Sequence, residues 1–486
     1  MKVLLAFAGS RGDAQPGALL GRELAARGHR VTVAVSPNLV EFVSGHGVSA
    51  VPIGVDSSEL LRAQQRDERF SSWSPVARVR AVVDLQRRGF AEAARDLLAI
   101  AGDADVLVTG MACEELAAEV ARSRGIPLAA MHFFPIRPNR SVPVVPASWA
   151  SRLPGSAHRL GWQALTKARA WALAREIAAL RADLSHAARL AAAGRTDRPA
   201  TDDRPAARGH SAAGLGDTPD FLSYTAIQAY DVELFPGLAE ELGDAPVTGF
   251  PVVPGRSPAA ETSAVDSPEP LSPLLARWLR AGEPPVYAGF GSMPVADPDS
   301  VRQLVREVGR RANRRVLLTG SMFEPELTPE LAVLPQVDHR AVLPRCAVAI
   351  HHGGAGTTAA ALRAGVPSVI CSVQADQPFW GRQLTALGLG ATLPFTELSA
   401  DRLEQALIRA TEPTVQLRAS AYGLRFRDDG VARAADVIES LSTEATDSLS
   451  AEAAESVAPQ DNSVPSRTSP AELPDGAAVL RIGDVR

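Results

Sequence analysis

The stretch Ile350 to Gln377 reads IHHGGAGTTAAALRAGVPSVICSVQADQ and leaves a chain of this kind few folds to choose from. An apolar run, Ala347 to Ile350, enters the glycine-rich turn His351-His352-Gly353-Gly354-Ala355-Gly356, and Thr357-Thr358 then opens an alanine-rich helix ending near Gly365-Val366-Pro367. A strand, a loop and a helix start in that order make a parallel α/β unit. Glycine lets backbone N–H groups approach a ligand closely, and the free N–H groups of a helix start attract anions, so the turn suits a phosphate. Gly353, Gly354 and Gly356 supply that backbone, and His351 and the Thr357 hydroxyl add side-chain donors. Ser368 to Ser372 reads as a second buried strand. Beyond its end stand Asp376 and Gln377, a carboxylate beside an amide, which together suit sugar hydroxyls. Taken alone, the glycine turn fits a purely structural junction equally well.

The N-terminus repeats the pattern. Lys2 to Ala8 (KVLLAFA) is a buried strand, Gly9-Ser10-Arg11-Gly12-Asp13-Ala14-Gln15-Pro16 a loop running into a helix, and Arg30 to Val35 the next strand. Asp13 sits where an open parallel sheet places its ligands, and its carboxylate suits either proton abstraction from a hydroxyl or a helix cap. Ser10, Arg11 and Gly12 share the loop as possible phosphate or acceptor contacts, and Arg11 fits a surface ion pair as well. His132, near the end of the strand Leu128 to Phe134, reads as a core histidine or as a lining residue of an acceptor pocket. A further strand, Pro285 to Phe290, ends in Gly289-Phe290-Gly291-Ser292-Met293, and Leu334-Pro335-Gln336-Val337-Asp338-His339 follows another.

The ordered series HHGGAGTT, LRAGVPSV and DQPFWGRQL resembles the donor-binding signature of the nucleotide-sugar-dependent glycosyltransferases of the GT-B type, the UDP-glycosyltransferase superfamily, with the actinobacterial and fungal sterol, lipid and natural-product branch nearest. GSRGDAQP and GFGSM resemble the family's first loops in its N- and C-terminal domains. The resemblance implies an α/β fold of two Rossmann-like doubly wound parallel-sheet domains facing across a cleft. It further implies that Asp13 is the base that deprotonates the acceptor, that Gly291, Ser292 and the His351 to Thr357 loop meet the diphosphate, that His339 lies near the nucleobase, and that Asp376 and Gln377 hold the sugar. The expected reaction is inverting transfer of a hexose or deoxyhexose from a UDP- or dTDP-sugar to a hydroxyl of a sterol, polyketide or glycolipid, without cofactor or metal. An epimerase or hydrolase on the same scaffold, and a non-catalytic auxiliary of a glycosyltransferase, are the alternatives.

Charge and composition narrow the partners. A net charge of -5 over 486 residues carries no basic footprint for nucleic acid. Three separated cysteines, Cys113, Cys346 and Cys371, lack metal-ligand spacing and point to a reducing compartment, with a cytoplasmic, monomeric or homodimeric enzyme expected. Asp297-Pro298-Asp299 reads as a helix cap with proline in the first turn rather than a metal triplet.

The expected organisation is an acceptor domain over 1–253 with a mobile loop at 194–216, a linker over 254–273 and a donor domain over 274–413. A helix over 414–441 is expected to cross back to the first domain, ahead of a disordered tail, 442–486. No apolar run is long enough to span a bilayer. The helical stretch Trp162 to Leu190, rich in Ala, Arg and Trp, is expected to pack its stripe on its own domain, with peripheral membrane contact as the alternative.

Overall fold

The computed structural model describes residues 1–71, 75–147, 149–193, 224–254, 271–291 and 297–441. Ser292, the 194–216 loop, the body of the 254–273 linker and the 442–486 tail lie outside them.

Among the described residues the strands form two sheets. The first joins β1 (Lys2–Ala6), β2 (Arg30–Val35), β3 (Ser49–Pro52), β4 (Val106–Gly110), β5 (Leu128–His132) and β6 (Thr225–Gln228) in the order β3-β2-β1-β4-β5-β6, every pair parallel. The second joins β7 (Val286–Gly289), β8 (Val316–Thr319), β9 (Glu326–Leu327), β10 (Leu331–Leu334), β11 (Val348–His351), β12 (Ser368–Ser372) and β13 (Gly390–Pro394) in the order β13-β12-β11-β7-β8-β10-β9, with only β9 antiparallel. Their sequences read as near-continuous Val, Leu, Ile and Ala because helices cover both faces, and β4, β5 and β12 are buried throughout. Strand order reverses between β1 and β4 and between β7 and β11, and such switch points open a crevice beyond the strand ends. Each of the loops singled out in the sequence leaves one of these strands.

The two halves meet through aromatic side chains. Phe134 and Phe235 of the N-terminal half lie 5.8 Å and 5.4 Å, ring to ring, from Trp380 of the C-terminal half, and Phe250 lies 5.6 Å from it. Trp380 is completely buried. Polar contacts flank this cluster: Arg363 donates to the Val253 carbonyl at 2.6 Å, and Gln383 donates to the Leu234 carbonyl.

The single helix expected over 414–441 is two helices, Pro413–Arg425 and 430–441. The break has a packing cause. Gly430 lies against the Phe250 backbone so closely that a Cβ there would stand 2.3 Å from the Phe250 carbonyl oxygen, so the chain turns at 426–429 to bring the second helix in. That helix buries Ala434, Ala435 and Ile438 in the core of the first sheet, beside Leu5, Leu20 and Leu24. Arg27 holds its outer face through Asp436 at 2.6 Å and Glu439 at 2.9 Å.

The stretch expected as one helix from Trp162 likewise starts earlier and divides into Gly155–Ala172 and Ala174–Ala193. Of its buried stripe, Leu173 and Ile177 pack on their own domain, whereas Trp162 also meets Phe379 of the C-terminal half, ring centres 6.3 Å apart.

Candidate active site

Asp13 is the third residue of the helix Arg11–Ala26, at the N-terminal switch point. Ser10 caps this helix and the two residues bind reciprocally, with Ser10 N and Oγ donating to Asp13 Oδ2 at 2.8 Å and 3.1 Å. Gly12 N donates to Ser10 Oγ at 3.2 Å. The polar groups of Ser10 and Gly12 are thus engaged within the loop, and the cap and base readings of Asp13 coexist in one geometry. Gly9, with φ +136°, makes room for the carboxylate: a Cβ there would lie 2.4 Å from Asp13 Oδ2. Burial pushes the Asp13 carboxyl above the usual carboxylate range, and the Ser10 donors only partly oppose it.

Arg11 projects from the same loop with its guanidinium 4.6 Å from the centre of the Phe42 ring. It has no carboxylate partner among the described residues, so the surface ion pair that the sequence allowed is not made. Its charge reaches across to His339 of the other half, whose pKa falls to about 4 through burial, with Asp338 opposing and Arg11 adding to the effect. His339 Nε2 meets the Tyr287 hydroxyl at 2.8 Å, and that hydroxyl also meets Thr319 Oγ1 at 2.9 Å.

In the C-terminal half, β11 delivers His351 and the glycine turn to the second switch point. The helix Ala355–Arg363 begins after Gly354, and its first backbone bond runs from Thr358 N to Gly354 O at 3.0 Å. The N–H groups of Ala355, Gly356 and Thr357 therefore have no acceptor inside the helix and are suited to meet an anion. Gly353, with φ +92°, is required by shape as well as by backbone: a Cβ would lie 2.5 Å from Ile370 Cγ2.

The direct donor role expected for His351 is corrected. Its side chain is completely buried, Gly353 N donates to Nδ1 at 3.1 Å, and Nε2 meets Ser368 Oγ at 3.1 Å, so both ring nitrogens are used inside the domain. In this arrangement His351 braces the turn from inside the domain. The adjacent His352 fits the donor role better, because its Nδ1 is buried with no partner among the described residues and its ring packs between Gly291 and Gly354. Burial lowers the His352 pKa to about 4, against the Gly289 carbonyl, so it is a neutral donor or acceptor at neutral pH. His351→Ala is accordingly expected to cost about 1–3 kcal/mol of stability and to weaken anion binding through the displaced turn. His352→Ala is expected to weaken binding with little loss of stability, and denaturant unfolding beside ligand titration separates the two.

Asp376 stands just before the helix Gln377–Ala386, where its side chain makes no capping bond and instead accepts from Trp380 Nε1 at 3.0 Å. Burial raises its pKa to about 6, the Trp380 bond opposes, and the Asp13 charge across the cleft raises it further. Gln377 Oε1 accepts from Val373 N at 2.9 Å and Gln374 N at 3.2 Å, so only its NH2 group is left to serve a ligand. Ala375, just before Asp376, holds φ +54°, a left-handed conformation that is strained for a residue with a side chain.

His132 is a core residue: it is completely buried, with Nε2 3.0 Å from Glu114 Oε1. Glu114 also accepts from the Tyr224 hydroxyl at 2.6 Å and lies 3.3 Å from Arg137. Burial works against its charge, but His132, Arg137 and Tyr224 outweigh it and hold the carboxyl at about 2. Beside this group Glu115 pairs with Arg169 at 2.6 Å. Glu114, Glu115, Ile136, Arg137, Thr166 and Arg169 line a recess, and the buried Cys113 thiol feels the charges of both Asp13 and Glu115. Sequence reasoning missed this polar recess. The adjacent carboxylates Glu114 and Glu115, directly after a buried strand, were the available signal.

Residues 326–443 match the family model described as erythromycin biosynthesis protein CIII-like, C-terminal domain. An uncharacterised glycosyltransferase of Mycobacterium tuberculosis is 32% identical over 463 residues, covering 92% of this chain and all of the relative. A sterol 3-beta-glucosyltransferase of Arabidopsis thaliana is 28% identical, over 89% of this chain and 64% of its own length. Among solved structures, the glycosyltransferase VinC in complex with dTDP superposes with a TM-score of 0.57 at 20% identity, covering 91% of this chain and all of that one.

Proposed function

The chain belongs to the glycosyltransferases of the UDP-glycosyltransferase, GT-B type, and on that premise we propose that it transfers a hexose or deoxyhexose from a UDP- or dTDP-sugar to a hydroxyl of a lipophilic acceptor, with inversion. The observation that carries this reading is a buried carboxylate beyond the end of a strand in each half, Asp13 after β1 and Asp376 after β12, with the Asp13 charge felt at Asp376. The N-terminal half supplies one of them and the C-terminal half the other.

In the proposed reaction the diphosphate lies against the free N–H groups of Ala355, Gly356 and Thr357, with Gly291 and His352 alongside and His339 toward the nucleobase. Asp376 accepts hydrogen bonds from the sugar hydroxyls and the Gln377 NH2 donates to them. The acceptor oxygen attacks the anomeric carbon from the side of Asp13, its proton passes to the Asp13 carboxylate, and the bond from the anomeric carbon to the diphosphate oxygen breaks with its electron pair. A single displacement inverts the centre. The helix start meets the charge of the departing diphosphate without having to reorganise. The raised pKa of Asp13 suits this step, since a more basic carboxylate takes the proton more readily. The sterol-acting relative and the dTDP held by VinC support a lipophilic acceptor and a pyrimidine nucleotide donor.

Thermal unfolding in the presence of UDP-, dTDP- and GDP-sugars tests the donor. A ligand that binds only the folded state at one hundred times its Kd adds about 2.7 kcal/mol, so one nucleotide class is expected to raise Tm clearly above the others. Absence of any shift would remove the donor assignment.

The sugar contact carries its own pH signature. The folded pKa of Asp376, about 6, lies above the ordinary carboxylate value, so burial favours its protonated form and its contribution to stability is lost as pH rises through 6. A sugar that donates to the ionised form reverses this preference. The gain in affinity of the nucleotide sugar over the bare nucleotide diphosphate is therefore expected to grow as pH rises through about 6, and calorimetric titrations of both ligands at several pH values measure it.

A further inference from the structure

The surface around the helix Gly155–Ala172 differs in kind from the rest of the molecule. Residues 137–175 carry seven cationic side chains and no carboxylate, although the whole chain has 55 Asp and Glu against 50 Lys and Arg. Among the described residues, six of the twelve exposed large apolar side chains fall between 145 and 171: Val145, Trp149, Leu153, Leu160, Leu165 and Trp171. Leu160, Lys167 and Trp171 stand at i, i+7 and i+11, so they share one exposed side of the helix, opposite the buried Trp162. Leu160 is 67% exposed and Trp171 77% exposed. Trp149 and Leu153 flank the helix start, so the apolar side chains extend along its whole length of about 27 Å. Arg152, Arg159, Lys167 and Arg175 are exposed among them, and none has a carboxylate partner among the described residues.

We propose that this face is a docking surface for an anionic phospholipid bilayer, on which the protein rests through Trp149, Leu160 and Trp171 with Arg159, Lys167 and Arg175 at the headgroups. Charge complementarity selects this occupant. An acidic protein that keeps one segment of 39 residues without a carboxylate concentrates its attraction for anions there, and indole and leucine side chains beside cations match the headgroup–acyl boundary. A protein partner would need pockets or polar pairing matched to these side chains, whereas a bilayer accepts a convex helix directly. Docking through this face is independent of which donor and acceptor the protein uses.

The test is flotation of the full chain with phosphatidylcholine vesicles and with phosphatidylcholine–phosphatidylglycerol vesicles, at low and at high salt. Binding is expected to the anionic vesicles only and to fall as salt rises. The double variants Leu160→Ser with Trp171→Ser, and Arg159→Glu with Lys167→Glu, are each expected to lose about tenfold or more in vesicle partitioning. They should keep the wild-type Tm and the wild-type thermal response to nucleotide sugar, since all four side chains are exposed. Leu424→Ser, which alters an apolar side chain 91% exposed on the other half, is the control and should bind as wild type does. Failure of the wild type to float with anionic vesicles, or equal losses in the control, overturns the proposal. So does a wild-type dimer in gel filtration that the Leu160 and Trp171 variants convert to monomer, which would make the face a contact between copies.

Discussion

Asp13→Asn is expected to lower kcat for glycosyl transfer by about a thousandfold, the scale lost with a general base, while the dissociation constant for the nucleotide sugar stays within about twofold of wild type. The amide keeps the size of the carboxylate and an oxygen that can accept from Ser10, so the helix cap and the close approach to Gly9 survive. What it cannot do is take a proton. It also removes the negative charge that raises the pKa of Asp376, so the pH at which sugar affinity rises should move down in this variant. Steady-state kinetics beside thermal shift with donor gives both readouts. Normal turnover would show that another group accepts the proton.

Trp380→Ala is expected to cost about 3–5 kcal/mol of stability and to weaken sugar binding as well. The indole is completely buried among Phe134, Phe235 and Phe250, so its loss leaves a cavity where the two halves meet. It also removes the donor to Asp376 Oδ2, which would leave that buried carboxyl without the bond that favours its charged form. Trp380→Phe separates the two effects. Phenylalanine fills most of the space and restores most of the stability, yet has no N–H, so the loss in sugar affinity should persist. Denaturant midpoints and donor titrations on both variants measure this, and full affinity in the phenylalanine form would show that the Trp380 bond does not position Asp376.

Much of the fold was legible because parallel strands buried on both faces must be written as short apolar runs, and the glycine turns mark where they end. Asp13 and the Ala355 to Thr357 helix start could be read for the same reason, since both are tied to local backbone geometry. His351 and His352 were not separable. Adjacent residues leave a strand on opposite sides, and which of them turns inward depends on Ser368 from the neighbouring strand, a contact with no local signature. The division at 426–429 was equally hidden, because it answers to the Phe250 backbone far away in the chain. The recess around Glu115 and Arg169 needed two elements more than fifty residues apart, and Tyr224 from a third closes the neighbouring Glu114 group. Long-range polar pairing of this kind carries no periodicity.

The helix 430–441, which fills the core of the first sheet with Ala434, Ala435 and Ile438, has a consequence for how the protein is made. The chain's earliest strands leave the ribosome first, yet one flank of their sheet stays uncovered until residue 441 has emerged. At ordinary elongation rates of about 5–20 residues per second, just over two hundred residues separate the last strand of the first sheet from that helix, a delay of about 10–40 s. The second sheet and its helices are complete before the first can close. Nascent chains stalled short of 430–441 should therefore present an unfinished N-terminal half to chaperones beside a C-terminal half already folded, and the order of assembly runs opposite to the order of synthesis.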